Sequence, residues 1–129
     1  MEKQLFKHIH TAQIYVSDYE RALAFYTGTL GWEKRDDAPL GGDARWLVVA
    51  IPGTTTGLSL AGPGMLDGHT PGGYTGITIV TDDIDAAYTR LAAAGVQFTQ
   101  PVTEMPWGDR ATWFADPDDN TFYLIQTAG

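Results

Sequence analysis

The sequence predicts an α+β fold of two βαβββ modules, and three observations carry that prediction. The segments Ser17-Asp18-Tyr19-Glu20-Arg21-Ala22-Leu23 and Asp82-Asp83-Ile84-Asp85-Ala86-Ala87-Tyr88 lie 65 positions apart, and each opens a run with apolar residues at helical spacing. Each follows an alternating apolar run, Ile14-Tyr15-Val16 in one case and Ile77-Thr78-Ile79-Val80 in the other. The helical faces superimpose at one offset, Tyr19, Ala22, Leu23 and Tyr26 falling on Ile84, Ala87, Tyr88 and Leu91. A recurring strand-helix unit implies two similar half-structures across a pseudo-twofold, with the groove between them as the place to look for function.

The elements follow in order. Ile9 to Val16 alternates as a strand, with Ser17 as the expected N-cap and Glu20, three residues on, completing a capping box. The helix runs to about Leu30 and Gly31 ends it. Trp32 to Arg35, Arg45 to Ile51 and Gly57 to Ala61 are short strands separated by Gly, Pro and Asp turns. Ala61 to Gly73 carries five glycines and two prolines, which suits a linker. One domain, 1–129, therefore comprises a module 1–61, a linker 62–73 and a module 74–129. The second module repeats the order: strand Tyr74 to Val80, helix from about Asp83 to Ala94, Gly95 as the stop, then strands near Gln97 to Thr99, Ala111 to Ala115 and Thr121 to Gln126. Asp116-Pro117-Asp118-Asp119-Asn120 is the turn between the last two.

Composition narrows the function classes. At 129 residues and 43% hydrophobic, the chain can bury a core without staples. No apolar run approaches the roughly 20 residues that cross a bilayer, and Met1 to His10 is polar, so a cytoplasmic protein with no membrane partner is expected. The absence of cysteine removes disulfides, thiolate nucleophiles and Cys-based zinc sites. Eight basic against sixteen acidic residues, with the cations scattered, argue against nucleic acid. The excess acid reads as a solvated surface, or as an attraction for a cationic ligand.

Three motifs resemble one family in order and spacing. They are Tyr15-Val16-Ser17-Asp18-Tyr19-Glu20-Arg21-Ala22-Leu23-Ala24-Phe25-Tyr26 running into Leu30-Gly31-Trp32, Val80-Thr81-Asp82-Asp83-Ile84-Asp85-Ala86-Ala87 running into Ala94-Gly95-Val96, and Trp113-Phe114-Ala115-Asp116-Pro117-Asp118-Asp119-Asn120. Together they cover nearly the whole chain and resemble the vicinal oxygen chelate superfamily of glyoxalase, bleomycin-resistance and extradiol-dioxygenase-like proteins. The resemblance implies a cup-shaped mixed sheet with its helices outside, and a homodimer. One departure is Asp119, where the family's turn usually has Gly; aspartate tolerates the left-handed conformation at modest cost.

The family's metal-dependent members hold a divalent ion with a His or Gln on the first strand of each module and a Glu on the last. Those positions fall on Thr11, Ser59, Gly76 and Tyr123, two repeat-related pairs 65 and 64 residues apart. Threonine, serine, glycine and tyrosine are not a competent ligand set, so no metal and no other cofactor is expected. His10 falls one residue out of phase, toward the helix side; His8 shares its strand face but no third ligand joins them. His69 reads as a solvated loop residue. Asp116-x-Asp118-x-Asn120 starts like a calcium loop but has Thr121 and Thr127 where the loop needs Gly and Glu. Gly62-Pro63-Gly64-Met65 completes no dinucleotide fingerprint, no P-loop is present, and no Ser-His-Asp arrangement stands out.

Residues in phase with those four positions line the cup: Gln13 and Tyr15 beside Thr11, Thr78 beside Gly76, Trp113 beside Tyr123, and Trp46, Val48 and Ala50 beside Ser59. Trp107 is expected to roof it. The expected ligand-binding set is Thr11, Gln13, Tyr15, Trp46, Val48, Ser59, Trp107, Trp113 and Tyr123, a surface suited to a flat apolar or aromatic molecule. The opposing reading is that these aromatics fill a closed core. The expected function is metal-free binding of a small molecule, as in drug sequestration. The alternative is a glyoxalase-like lyase or dioxygenase-like enzyme acting on a small oxygenated substrate, with Tyr15, Tyr123 or Asp109 as acid-base groups. Asp43, Glu104 and Asp109 are expected near the mouth, where they would favour a cationic ligand.

Overall fold

Side chains alternate faces along a strand, and β1 (Thr11–Tyr15) shows what that does here: Ile14 is buried, whereas Gln13 is exposed and Tyr15 half-buried. The computed structural model describes residues 3–128; Met1, Glu2 and Gly129, which the sequence reading assigns to the module ends, lie outside the described residues. The chain divides into two compact units, Met1–His69 and Thr70–Gly129.

In the first unit β1 leads into α1 (Tyr19–Leu23). Asp18, not Ser17, is the N-cap: it is extended and its carboxylate accepts the Arg21 amide at 3.1 Å. Ser17 Oγ instead accepts from the Arg21 guanidinium at 2.7 Å, and Glu20 reaches Arg45 at 2.6 Å, so the expected capping box does not form. The helix then widens into π geometry over Ala24–Thr29, where the Leu30 amide donates five residues back to the Phe25 carbonyl at 2.9 Å. Gly31 ends it at φ +78, as Gly95 ends the second helix at φ +93; both are conformations that cost a residue with a Cβ.

Three more strands follow, β2 (Glu33–Gly41), β3 (Ala44–Ala50) and β4 (Gly57–Ala61). The sheet order is β1-β4-β3-β2, with β1 parallel to β4 and the other neighbours antiparallel. Leu47, Val49, Leu58 and Leu60 are buried on the side of the sheet that Ile14 faces, where α1 lies against β4. Each such side chain contributes about 1.5–3 kcal/mol relative to exposure.

The second unit repeats this plan with β5 (Gly73–Val80), α2 (Ile84–Ala93), β6 (Gln97–Phe98), β7 (Thr103–Glu104), β8 (Arg110–Ala115) and β9 (Asn120–Gln126). Asp83 caps α2 by accepting the Ala86 amide at 3.1 Å, the repeat of Asp18. The sheet order is β5-β9-β8-β6, with β5 parallel to β9; the two-residue β7 pairs with β8 where the sequence reading had no strand. The β8–β9 turn keeps Asp119 at φ +63, as expected, while Asp116 Oδ1 accepts the Asp118 and Asn120 amides at 2.9 Å each. Both units are thus mixed sheets with one helix, the α+β class that the sequence predicts.

Candidate functional site

In each unit the sheet face opposite the helix carries the candidate residues. In the first, β1 sets Gln13 beside Ser59, β3 sets Val48 on the other side of Ser59, and β2 sets Asp36 beside Val48. Two residues along, Tyr15 stands beside Ala61. At the other end Thr11 stands beside Gly57, whose missing Cβ leaves room for its neighbours: a Cβ there would lie 2.6 Å from Val48 Cγ1 and 3.6 Å from Thr11 Cγ2. Val48, Ala50, Ser59 and Ala61 form a closed centre to this face, and Thr11, Tyr15 and Trp46 are half-buried around it.

Ser59 is 2% exposed, and its Oγ is a buried side-chain polar atom with no hydrogen-bond partner among the described residues. Leaving a hydroxyl shut from water and unpaired costs about 1–3 kcal/mol, so such a group is rare and calls for an explanation.

The second unit places Thr78 beside Tyr123 and Tyr123 beside Trp113. These are the repeat counterparts of Gln13, Ser59 and Val48, at offsets of 65, 64 and 65 residues. Here the row is aromatic. The Trp113 and Tyr123 rings have centroids 4.5 Å apart, and Tyr74 meets Trp113 edge-on at 4.9 Å. Tyr74 remains 59% exposed, and Trp113 and Tyr123 are half-buried, so the cluster is an open aromatic surface.

A divalent ion does not fit the four family positions. Gly76 brings no donor and lies at φ +76 in an irregular stretch of β5, between the Tyr74–Thr121 and Thr78–Tyr123 pairings. The Tyr123 ring is packed on Trp113, and Thr11 and Ser59 offer only hydroxyls. No group of three His, Asp or Glu side chains converges among the described residues.

The groups with displaced ionisation lie on the helix side of the sheets. Two hydrogen bonds from the Arg45 guanidinium, both 2.7 Å, hold the Asp37 carboxyl well below the usual carboxylate range, and Asp37 in return raises Arg45. Arg45 also pairs with Glu20 on α1 and stacks over the Tyr19 ring at 5.7 Å. In the second unit Arg110 pairs with Asp85 on α2, which lowers the carboxyl and raises the guanidinium. Arg45 with Glu20 and Arg110 with Asp85 are the same pair in the two repeats. They tie helix to sheet rather than face a ligand.

The remaining candidates separate. Trp107 is 62% exposed on the turn before β8, with Nε1 donating to Asp109 Oδ2 at 3.1 Å. Asp109 also accepts the Ala128 amide at 3.2 Å, so its carboxylate braces that turn. Asp43 lines a shallow cavity of about 300 Å³ at the β2–β3 hairpin with Asp37 and Arg45. His69, read from sequence as a solvated loop residue, lies flat on Tyr15, with centroids 4.5 Å apart and planes 9° from parallel. Sequence spacing held no signal for that contact, because it depends on how a Gly/Pro-rich loop returns over the sheet.

Comparison with known proteins agrees with this geometry. The chain is similar to a crystal structure of a glyoxalase/bleomycin resistance protein/dioxygenase superfamily member from Sphaerobacter thermophilus, with 49% identity, a TM-score of 0.91, and coverage of 96% of this chain and 100% of that one. It is similar to TnmS3, an antibiotic binding protein from Streptomyces sp. CB03234, with 38% identity, a TM-score of 0.81, and coverage of 96% and 98%. The uncharacterised protein YetH of Bacillus subtilis is 32% identical over 120 residues, 93% of this chain and 98% of that protein. The sequence pattern of one family matches residues 8–124, and with the paired sheet rows it places the chain in the Glyoxalase/Bleomycin resistance protein/Dioxygenase superfamily.

Proposed function

We propose that the protein binds a small, flat, apolar or aromatic molecule without a metal ion and sequesters it. The observation that carries this is the Tyr74–Trp113–Tyr123 cluster, in which the Trp113 ring meets both tyrosine rings on a sheet face that stays partly open. Open aromatic surface favours stacking with a planar ligand, and each buried ring contributes through desolvated area and ring-ring geometry. The kinship with TnmS3 supports the same class of activity, and extends the proposal to antibiotic-like ligands.

A homodimer is part of this proposal. The family resemblance supports it, and Tyr74 and Val80 on the second sheet, 59% and 61% exposed, are apolar positions that pairing would cover. The test of binding is titration of the purified protein with a broad panel of small aromatic compounds, read by tryptophan fluorescence and melting temperature. Saturable quenching with a raised melting temperature is expected; a panel in which no compound produces either would overturn the proposal.

A further inference from the structure

Two observations in the first unit meet on one sheet face. The Ser59 hydroxyl is buried and unpartnered, and Tyr15 carries a planar ring flat against it. Tyr15 pairs with Ala61, and Ser59 is two residues before Ala61 on the same strand, so both side chains point to the same side of the sheet in adjacent rows. The ring on Tyr15 is the His69 imidazole, at a separation and tilt suited to a stacked heteroaromatic. That imidazole is lightly held. The backbone amide of His69 donates to the Leu66 carbonyl at 2.8 Å in a turn, but among the described residues its ring has no partner other than Tyr15.

We propose that Tyr15 and Ser59 form a subsite for a planar ring ketone, and that the His69 imidazole holds the place of that ring in the free protein. The ligand's ring takes the Tyr15 face and its edge carbonyl accepts the Ser59 hydroxyl proton, giving the orphaned group the partner it lacks. Burial helps, because a hydrogen bond away from water competes with no solvent and discriminates strongly against a ligand that lacks the acceptor. Because Ser59 is 2% exposed, reaching it requires side chains around it to move, and the His69 ring stacked on Tyr15 in the neighbouring row is the one the ligand displaces.

This inference rests on the binding function proposed above, so its test separates the two. Fluorene and 9-fluorenone have the same planar frame and differ in one carbonyl. Equilibrium dialysis against each is expected to show wild-type protein preferring fluorenone by about fivefold, the worth of one hydrogen bond. Ser59→Ala should bring that ratio close to one, and Ser59→Cys, nearly the same size with a weak donor, should do the same. His69→Ala should tighten both compounds by removing the competing ring, and Tyr15→Leu should weaken both. Binding of both compounds with equal affinity, or a fluorenone preference that survives in Ser59→Ala and Ser59→Cys, overturns the subsite and leaves small-molecule binding standing. Failure of both compounds to bind the wild-type protein overturns the subsite and counts against the binding proposal as well.

Discussion

Trp113 occupies in the second sheet the point that Val48 occupies in the first: Val48 stands beside Ser59 and Trp113 beside Tyr123, and both pairs belong to one repeat. The small pair closes the centre of its face, whereas the large pair leaves aromatic surface open. Trp113→Ala should therefore weaken binding of a planar ligand by about 1–3 kcal/mol through lost stacking and area. Because Trp113 is only half-buried, its removal should cost less than the roughly 3–5 kcal/mol of a fully enclosed tryptophan. Urea denaturation and ligand titration on the same variant check both halves.

Gly57→Ala places a methyl 2.6 Å from Val48 Cγ1 in a closed part of the first sheet. The expected cost is about 1–3 kcal/mol of unfolding free energy from overpacking. Val48→Ala in the same chain should recover much of it, and a double-mutant cycle reads the coupling. Additive single costs would mean that the strain is relieved elsewhere.

Asp37 gives a pH dependence with a definite sign. Its folded-state carboxyl is held below its ordinary value by hydrogen bonds from Arg45, so the stability it contributes is present above the ordinary carboxylate range and is lost as pH falls through the lowered folded value. Stability measured from pH 7 down to about 2 should thus fall less steeply in Asp37→Asn than in wild type below about pH 4, with the variant already weaker at neutral pH. Parallel curves would remove Asp37 from the account.

The purified protein should hold well under one equivalent of zinc, nickel, manganese or iron, and added Ni²⁺ should leave its melting temperature unchanged. Thr11, Ser59, Gly76 and Tyr123 supply no imidazole or carboxylate for such an ion. Elemental analysis near one equivalent, with a chelator lowering the melting temperature, would overturn this.

Light scattering at micromolar concentration should give twice the chain mass. Val80→Lys, a charge placed on an exposed apolar position of β5, should shift the population toward monomer. A wild-type monomer would remove the homodimer from the proposed function.

The repeat was legible in the sequence because its helices are amphipathic and its glycine stops fall at matching places. β2 was not: the sequence reading placed a strand only over Trp32 to Arg35, yet the strand is Glu33–Gly41. Glu33 to Asp37 are all charged, the strand is nearly all exposed and it includes Pro39, so an edge strand held by backbone bonds to β3 leaves no alternating apolar trace. The cap misplaced by one residue has a tertiary cause. Ser17 and Asp18 are both good caps, and the draw of Arg45 on Glu20, 25 residues away, removes the partner that a Ser17 capping box requires. For the site, strand phase placed Gln13, Ser59 and Val48 side by side. It did not show that Ser59 lacks a partner or that His69 covers Tyr15, because both depend on how side chains and a loop close over the sheet.

The twin ion pairs, Glu20 with Arg45 and Asp85 with Arg110, lie on the opposite side of their sheets from Gln13, Ser59, Val48, Thr78, Trp113 and Tyr123. The helix anchors and the surface proposed for ligand binding thus occupy different faces of the same strands. A combinatorial library that randomises the exposed or half-buried Gln13, Thr78, Trp113 and Tyr123, while leaving the four charged anchors and the buried Val48 and Ser59 intact, should retain a high proportion of folded members. Variation on these strands is accordingly least costly to the fold where the face is already open to water, and most costly at the closed Val48–Ser59 centre.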